Sequence, residues 1–306
     1  MPVWAQKPAT PYRVGVLHAA YARNVPWVEG LRIGLEELGL KEARDVVFEH
    51  RFTEGNLERL APAAAELVKT NVHVIFTSNE DATRAAMGAT SSLPIVFATV
   101  RDPISAGIVS NLARPRGNVT GVSMVTFELV PKRMEVLKEL SPAVRRVWLV
   151  YDTHDRSVGP VLEKARAAAA QLKLELVAQA VATADELQRV QKTIRAGDAI
   201  FVHDQTTTLD ISAQLLATSL AARVPAIYTS AFWVGHGALA SYGADYHAAG
   251  RQAARLVAKV LRGGKPADLP IEQATKIELA LNAKTARSLG ITIPAALQGR
   301  ADKIID

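Results

Sequence analysis

Acidic, histidine and aromatic residues stand directly after several short apolar stretches of this chain. Asp152 ends "RRVWLVYD", Asp204 follows "DAIFVH", and Tyr228 lies within "PAIYTS". A carboxylate can bind a cation or move a proton, and an aromatic ring can stack on a planar group. These residue types therefore indicate either a catalytic centre or a binding site for a small polar molecule.

The motifs of common enzymes are missing from the sequence. There is no G-x-G-x-x-G after the first apolar stretch, no G-x-x-x-x-G-K-[ST] and no G-x-S-x-G. The 7 histidines include no H-E-x-x-H or close repeat. Asp152, His154 and Asp155 are close in sequence, but adjacent residues of one loop rarely converge on one atom. We expect no catalytic residue, no metal site and no cofactor.

Short apolar runs alternate with segments of helical period, which is typical of βαβ units and a parallel sheet. The strand candidates of the first half are "RVGVL", "VVFEH", "VHVIFT" and "LPIVFA". They are rich in Val and Ile, as strands covered on both faces tend to be. Pro26 predicts the first turn of a helix, and Asn56 an N-cap before a helix that Pro62 bends or delays.

The pattern repeats in the second half. The strand candidates "RRVWLVY", "LELVAQA", "DAIFVHD" and "PAIYTS" alternate with helix candidates that begin near Ser157, Ala184 and Leu209. Two successive sets of alternating elements predict an α/β protein with two open, doubly wound domains.

Ligands of such sheets bind beyond the carboxyl ends of the strands. Most polar and aromatic clusters of the chain fall in the corresponding loops, among them "HAAYARN", "SNEDAT", "TVRDP", "DTHDRS", "HDQTTT" and "YGADYH". The candidate ligand-binding residues in these loops and at the strand ends are His18, Tyr21, Ser78, Asn79, Arg101, Asp102, Ser123, Asp152, Asp204, Tyr228, Trp233 and Asp245.

Two segments carry a family resemblance. "SLPIVFATVRDPISAGIVSNLARPRGNVTGVS" and "GGKPADLPIEQATKIELALNAKTARSLGITIPAAL" resemble signature stretches of the ABC-importer solute-binding family, including its tryptophan/tyrosine-type members. The resemblance extends over nearly the whole chain. It implies capture of a small molecule between two Rossmann-like lobes with parallel sheets, joined by three crossing hinge strands, as in type I periplasmic binding proteins. Closure about the hinge would precede docking on the permease.

The resemblance places the crossings at 121–124, 239–242 and 273–277. The expected N-terminal lobe then comprises 11–122 and 242–272, and the C-terminal lobe 123–241 and 273–306.

The same resemblance gives several candidates two readings. Arg101 replaces a small or polar residue of the family and is either a fork for a ligand carboxylate or a solvated side chain. Asp204 stands where a family carboxylate can pair with a ligand ammonium, although the local sequence here is His203-Asp204-Gln205. Asp245 is either a ligand anchor or a helix N-cap.

Other candidates have equally plain structural readings. Ser78 and Asn79 can cap a helix or, with the helix N-terminus, bind a ligand anion. Asp102 before Pro103 can simply open a turn. The aromatic candidates for stacking are Tyr21, Tyr228, Phe232, Trp233 and Tyr242, and we expect two of them to touch the ligand.

Charge and composition exclude other classes. Lys and Arg number 36 against 30 Asp and Glu, a net charge of +6, but no basic run occurs, so we expect no nucleic-acid partner. No apolar run approaches the roughly 18 residues of a membrane span. The count of 0 Cys excludes disulfides and argues against a lipid anchor.

Val3 and Ala5 before Gln6 resemble the end of a signal-peptide cleavage site, or form an accidental V-x-A in a frayed terminus. Together with these features, the family resemblance implies a soluble, periplasmic monomer without a lipid anchor, whose partners are a small-molecule solute and the permease subunits of an ABC importer. The alternative is a cytosolic effector-sensing protein of the same fold.

Overall fold

A computed structural model describes residues 10–20, 22–124, 127–155, 158–203, 205 and 209–306. Its strands, numbered in chain order, are β1 (Tyr12–His18), β2 (Val46–Phe52), β3 (Val74–Thr77), β4 (Ile95–Val100), β5 (Val119–Ser123), β6 (Arg146–Asp152), β7 (Glu175–Val181), β8 (Asp198–Phe201), β9 (Ala226–Tyr228), β10 (Ala240–Ala244), β11 (Glu272–Gln273), β12 (Ile277–Asn282) and β13 (Lys303–Ile305). Its α-helices are α1 (Pro26–Glu37), α2 (Leu60–Lys69), α3 (Glu80–Ala89), α4 (Val130–Leu140), α5 (Val158–Gln171), α6 (Ala184–Gln191), α7 (Ile211–Ala222), α8 (Ala231–Gly235), α9 (Tyr246–Leu261), α10 (Ala283–Leu289) and α11 (Ala295–Arg300).

The chain forms two compact units and passes between them three times. The first unit comprises Met1–Val125 and Tyr246–Lys276, and the second comprises Thr126–Asp245 and Ile277–Asp306. The lobe boundaries expected from the sequence, after residues 122, 241 and 272, stay a prediction.

The first unit is built on a six-stranded sheet in the order β11-β5-β4-β3-β1-β2, in which each pair of neighbouring strands is parallel. Helices α2 and α3 pack on one face and α9 on the other, so β1, β3 and β4 are apolar on both sides. Strand β2 forms one edge of the sheet.

Helices α1 and α9 of this unit make an unusually close approach. A Cβ on Gly30 would overlap the carbonyl oxygen of His247, and a Cβ on Gly250 would overlap that of Trp27. Only glycine lets the two backbones lie this near each other. Helix α9, with which the chain returns to the first unit, therefore packs directly on α1. The ion pair between Arg251 of α9 and Glu37 of α1, which are 214 residues apart, joins the same two helices.

Local signals set several helix starts as the sequence predicts. Pro26 is the first residue of α1. The Asn56 side chain accepts hydrogen bonds from the backbone nitrogens of Glu58 and Arg59, and a 3₁₀ turn over Leu57–Arg59 delays the α-helix until Leu60. Helix α6 begins at Ala184, and α7 begins at Ile211, two residues after the expected Leu209. The start expected near Ser157 lies outside the described residues.

The second unit contains a seven-stranded sheet in the order β13-β12-β10-β9-β8-β6-β7. Its neighbouring strands pair in parallel, except that β10 and β12 are antiparallel. Two clusters of buried apolar side chains cover its faces, one under α4, α5, α10 and α11 and the other under α6 and α7. Two mostly parallel sheets confirm the predicted α/β fold class.

The three segments expected to cross overlap strands of the two sheets: 121–124 covers the end of β5, 239–242 covers the start of β10, and 273–277 joins β11 to β12. Strand β5 is an inner strand of the first sheet, while β10 and β12 pair with each other in the second. Each crossing follows or precedes a regular strand of one sheet. No helix among the described residues is long and apolar enough to cross a membrane.

Candidate functional site

Each parallel sheet has one point at which the strand order reverses. In the first unit it lies between β1 and β3, because β2 flanks β1 on the far side while β4 and β5 follow β3. In the second unit it lies between β6 and β8. Ligands of open α/β sheets bind beyond the carboxyl ends of the strands at such points. The residues at these two places are the candidate site of each unit.

His18 ends β1 beside the first of these points and is only 1% exposed. Its ring stacks on Phe52 with centroids 5.9 Å apart and meets the edge of Trp27 at 6.2 Å. Neither ring nitrogen makes a hydrogen bond of good geometry among the described residues, although the Arg23 backbone approaches the ring closely enough for a weak one. Burial lowers the pKa of His18 to about 4, against a smaller opposing effect of the Arg23 backbone, so the ring is neutral at pH 7.

The buried neutral ring makes stability depend on pH. The unfolded chain takes up a proton near pH 6.5 and the folded chain only near pH 4, so stability is complete above pH 6.5 and is lost as the pH falls toward 4. We expect His18 to account for a loss of about 3 kcal/mol by pH 4. Urea unfolding at pH 7 and at pH 4.5 should therefore show a smaller loss in His18→Gln, which cannot titrate, than in the unsubstituted protein. Equal losses would contradict this assignment.

The loop after β3 lies on the other side of the strand-order reversal in the first sheet. Ser78 is buried, and its carbonyl oxygen accepts a hydrogen bond from the Thr99 nitrogen. Asn79 is the N-cap of α3, where its side-chain oxygen accepts from the Ala82 nitrogen at 3.1 Å. The capping role expected of Asn79 is therefore present; ligand contact by Ser78 and Asn79 stays a prediction.

Arg101, directly after β4, is paired with Glu80. The carboxylate accepts hydrogen bonds from the Arg101 backbone nitrogen at 2.8 Å, from Nε at 3.1 Å and from Nη2 at 3.2 Å. The guanidinium fork expected to bind a ligand carboxylate thus holds a carboxylate of the chain itself, and the alternative of a solvated arginine is wrong, since the side chain is 12% exposed.

Two further candidates of this unit have structural roles. Asp102 accepts hydrogen bonds from the nitrogens of Ile104 and Ser105 at 3.0 and 3.1 Å, which makes the turn expected of an Asp-Pro pair. Ser123 ends β5, is buried, and accepts a hydrogen bond at its carbonyl oxygen from the Ala274 nitrogen at 2.7 Å. Ligand contact by either residue stays a prediction.

In the second unit, carboxylates and histidines meet between β6 and β8. Asp152 accepts a hydrogen bond from the His154 backbone nitrogen, and its Oδ1 lies 2.8 Å from His154 Nδ1. Asp155 Oδ2 lies 2.9 Å from Nε2 of the fully buried His203. The Gln205 side chain accepts from the Asp152 nitrogen and donates to the Val150 carbonyl oxygen, tying the loop after β8 to β6.

The aromatic residues at the end of β9 and in α8 become progressively more exposed along a chain of ring contacts. Tyr228 is completely buried, donates its hydroxyl to the Ser212 carbonyl oxygen at 3.1 Å, and has a pKa that burial raises. Its ring packs on Trp233 at 5.3 Å, and Trp233 packs on Phe232 at 5.2 Å. Phe232 is 56% exposed. Tyr228 therefore belongs to the core, and of this series Phe232 has the ring surface that a ligand could reach.

Three candidates complete the set. Asp245 directly precedes α9, is half-buried, and makes polar interactions. Tyr21 and Asp204 lie outside the described residues, so their ligand contacts stay predictions. The structure adds Glu80, Asp155 and His203 to the candidate residues. No local sequence pattern indicates them, because their partners are 21 and 48 residues away in the chain. No group of metal-binding side chains occurs within the described ranges.

Comparison with known proteins shows the family to which the chain belongs. Residues 17–305 match the family described as ABC transporter substrate binding protein, so the chain belongs to that family. The family resemblance read from the sequence is confirmed. A tyrosine-binding protein of Clostridioides difficile is 26% identical over 264 residues, which are 85% of this chain and 75% of that protein.

Two solved structures are similar over both units. A conserved domain protein from Vibrio cholerae has a TM-score of 0.85 and 28% identity, covering 96% of this chain and 100% of that one. The ABC domain from Streptococcus pneumoniae in complex with L-Trp also has a TM-score of 0.85, with 26% identity and coverage of 97% and 100%. The family binds substrates for transporters and is not a family of enzymes.

Proposed function

We propose that this protein captures an amino acid with an aromatic side chain and delivers it to the permease of an ABC importer. The observation that carries the proposal is the similarity, over 97% of this chain, to a domain solved with L-Trp. The C. difficile relative named for tyrosine supports the same class of solute. An aromatic amino acid combines a planar ring with a carboxylate and an ammonium, which suits the rings and carboxylates described above.

His18 is the residue of the first unit with the strongest case for contacting the solute. It is buried at the carboxyl end of β1, and within the described part of the chain its two ring nitrogens make no hydrogen bond of good geometry, the Arg23 backbone offering at most a weak one. Buried polar groups are nearly always hydrogen-bonded, so an orphaned pair of nitrogens beside a binding edge calls for a ligand. A neutral imidazole can both donate to a carboxylate and accept from an ammonium.

Isothermal calorimetry of the purified protein with L-tryptophan and L-tyrosine tests the proposal, with L-leucine and L-glutamate as competing classes. We expect binding of at least one aromatic amino acid and a higher melting temperature in its presence. Binding of leucine or glutamate alone would overturn the proposed solute class.

The same experiment on His18→Ala should show a loss of affinity of about ten- to hundredfold, as expected when one buried hydrogen bond to a charged group is removed. His73→Ala is the matched control, because His73 lies at the amino end of β3 and its Nδ1 accepts from the Arg13 nitrogen. An unchanged affinity in His18→Ala would remove this residue from the site.

A periplasmic location, action as a monomer and docking on permease subunits belong to the same proposal. The family description supports docking on a permease, since it names a component of ABC transporters. Recovery of the protein in the periplasmic fraction of its native cells, and co-purification with the permease, are the expected results. Recovery from the cytosol alone would favour an effector-sensing protein.

A further inference from the structure

One ion pair at the carboxyl edge of the first sheet differs from the others of the unit in its burial. The side chains of Glu80 and Arg101 are 8% and 12% exposed. By contrast, the Arg13–Glu49 pair of the same unit is 43% and 25% exposed. The Glu80 carboxylate accepts three hydrogen bonds from Arg101, two of them from the guanidinium.

The surroundings of this carboxylate make an anion site. The Arg101 guanidinium supplies a planar fork that matches a carboxylate. Glu80 is also the first residue of α3, where the helix dipole favours negative charge. Burial raises the pKa of Glu80, but the charge and hydrogen bonds of Arg101 outweigh it and hold the pKa below its usual value. The carboxylate is therefore charged at neutral pH.

Stability alone does not account for such a pair. Removing two charges from water costs free energy that their attraction only partly returns, and apolar residues of similar size often serve as well. The pair also lies beside the point of strand reversal, where the sheet is expected to meet its ligand. A role of the Glu80–Arg101 pair in recognising the solute would explain both its desolvation cost and its position beside the strand-order reversal.

We propose that Glu80 is a specificity-determining residue that fills the anion site formed by Arg101 and the N-terminus of α3. By occupying this site with a carboxylate of the chain, it excludes the carboxylate of a solute and rejects anions that have no ammonium group. This inference deepens the proposed function, but its first test does not depend on which solute the protein binds.

The first test uses sulfate as a probe. At constant ionic strength, thermal unfolding in increasing sulfate should show that Glu80→Gln binds sulfate at least about tenfold more tightly than the unsubstituted protein, because the neutral amide no longer compensates the charge of the guanidinium and the dipole of the helix N-terminus. The double variant Glu80→Gln/Arg101→Gln should lose this gain. Equal sulfate dependence in all three proteins, or a gain that persists in the double variant, would overturn the proposal.

A second variant covers the case in which Glu80→Gln does not fold. Glu80→Asp keeps the charge but shortens the side chain by one methylene, so that it withdraws from the fork. We expect a smaller increase in sulfate affinity than in Glu80→Gln. Sulfate affinity equal to that of the unsubstituted protein would count against the proposal in the same way.

The second test concerns the solute. Calorimetry with L-tryptophan and with indole-3-propionate, which lacks the amino group, gives a ratio of affinities for each protein. In Glu80→Gln this ratio should shift toward indole-3-propionate by about tenfold or more. If the unsubstituted protein binds no aromatic amino acid, the proposed function fails, while the sulfate result still decides the role of Glu80.

Discussion

Replacing Asp198 by alanine should lower the free energy of unfolding by about 2 to 3 kcal/mol, because it leaves the buried indole N–H of Trp148 without an acceptor and removes the hydrogen bonds from Arg146 and Arg195. Asp198 is 4% exposed at the start of β8. Its carboxylate accepts from Arg146 Nε and Nη2 at 2.8 and 3.0 Å, from Trp148 Nε1 at 2.9 Å and from the Arg195 nitrogen at 3.1 Å. These bonds join β6 to β8, the two strands that flank the point of strand reversal in the second sheet.

Glu139→Ala is the matched control for this prediction. Glu139 also pairs with an arginine of the second unit, Arg300, but the two side chains are 38% and 46% exposed. Exposed pairs contribute about 1 kcal/mol or less. Urea unfolding of both variants should separate them clearly. Similar losses in the two variants would mean that the Asp198 network contributes no more than a surface pair does.

Much of the fold could be predicted because its signals are local. Runs of Val and Ile mark β1, β3 and β4, and Pro26 and Asn56 mark helix starts. Asn79 caps α3 as its sequence position suggests. Each of these depends on residues within one turn or one strand. Sequence periodicity contains that information, and the alternation of strands and helices in each half follows from it.

The sequence indicates that the candidate residues stand at strand ends, but it does not indicate which of their side chains pair with each other. Glu80 and Arg101 are 21 residues apart, and Asp155 and His203 are 48 apart. Whether such residues meet depends on which strands are neighbours, and periodicity does not fix strand order. For this reason the sequence pointed to Arg101 as a fork but not to the carboxylate that fills it.

The aromatic candidates illustrate the same limit. Tyr228 and Trp233 follow one strand end, where a ring can face either ligand or core. Helix α8 turns their rings onto each other, 5.3 Å apart, and places only Phe232 largely in solvent. The direction of a short helix after a strand is a tertiary property. No pattern within "AIYTSAFW" indicates it.

Replacing Gly30 by alanine should destabilise the protein by about 3 kcal/mol, because the added methyl group meets backbone atoms that cannot rotate away. A Cβ on Gly30 would overlap the His247 carbonyl oxygen and lie 2.9 Å from the Arg251 nitrogen. Helix α1 and the returning helix α9 would have to separate. Since α9 also packs on β3, β4 and β5, this displacement would loosen the sheet that carries the candidate site of the first unit.

Gly88 provides the control, because it is also helical but a Cβ there would meet nothing within 4 Å. Gly88→Ala should therefore stabilise the protein by roughly 0.5 to 1 kcal/mol through helix propensity. Chemical unfolding of the two variants should give changes of opposite sign. A stabilising effect of Gly30→Ala would show that the α1–α9 approach is looser than described. In that case the glycines at 30 and 250 would not be what allows the return segment to pack against the first unit.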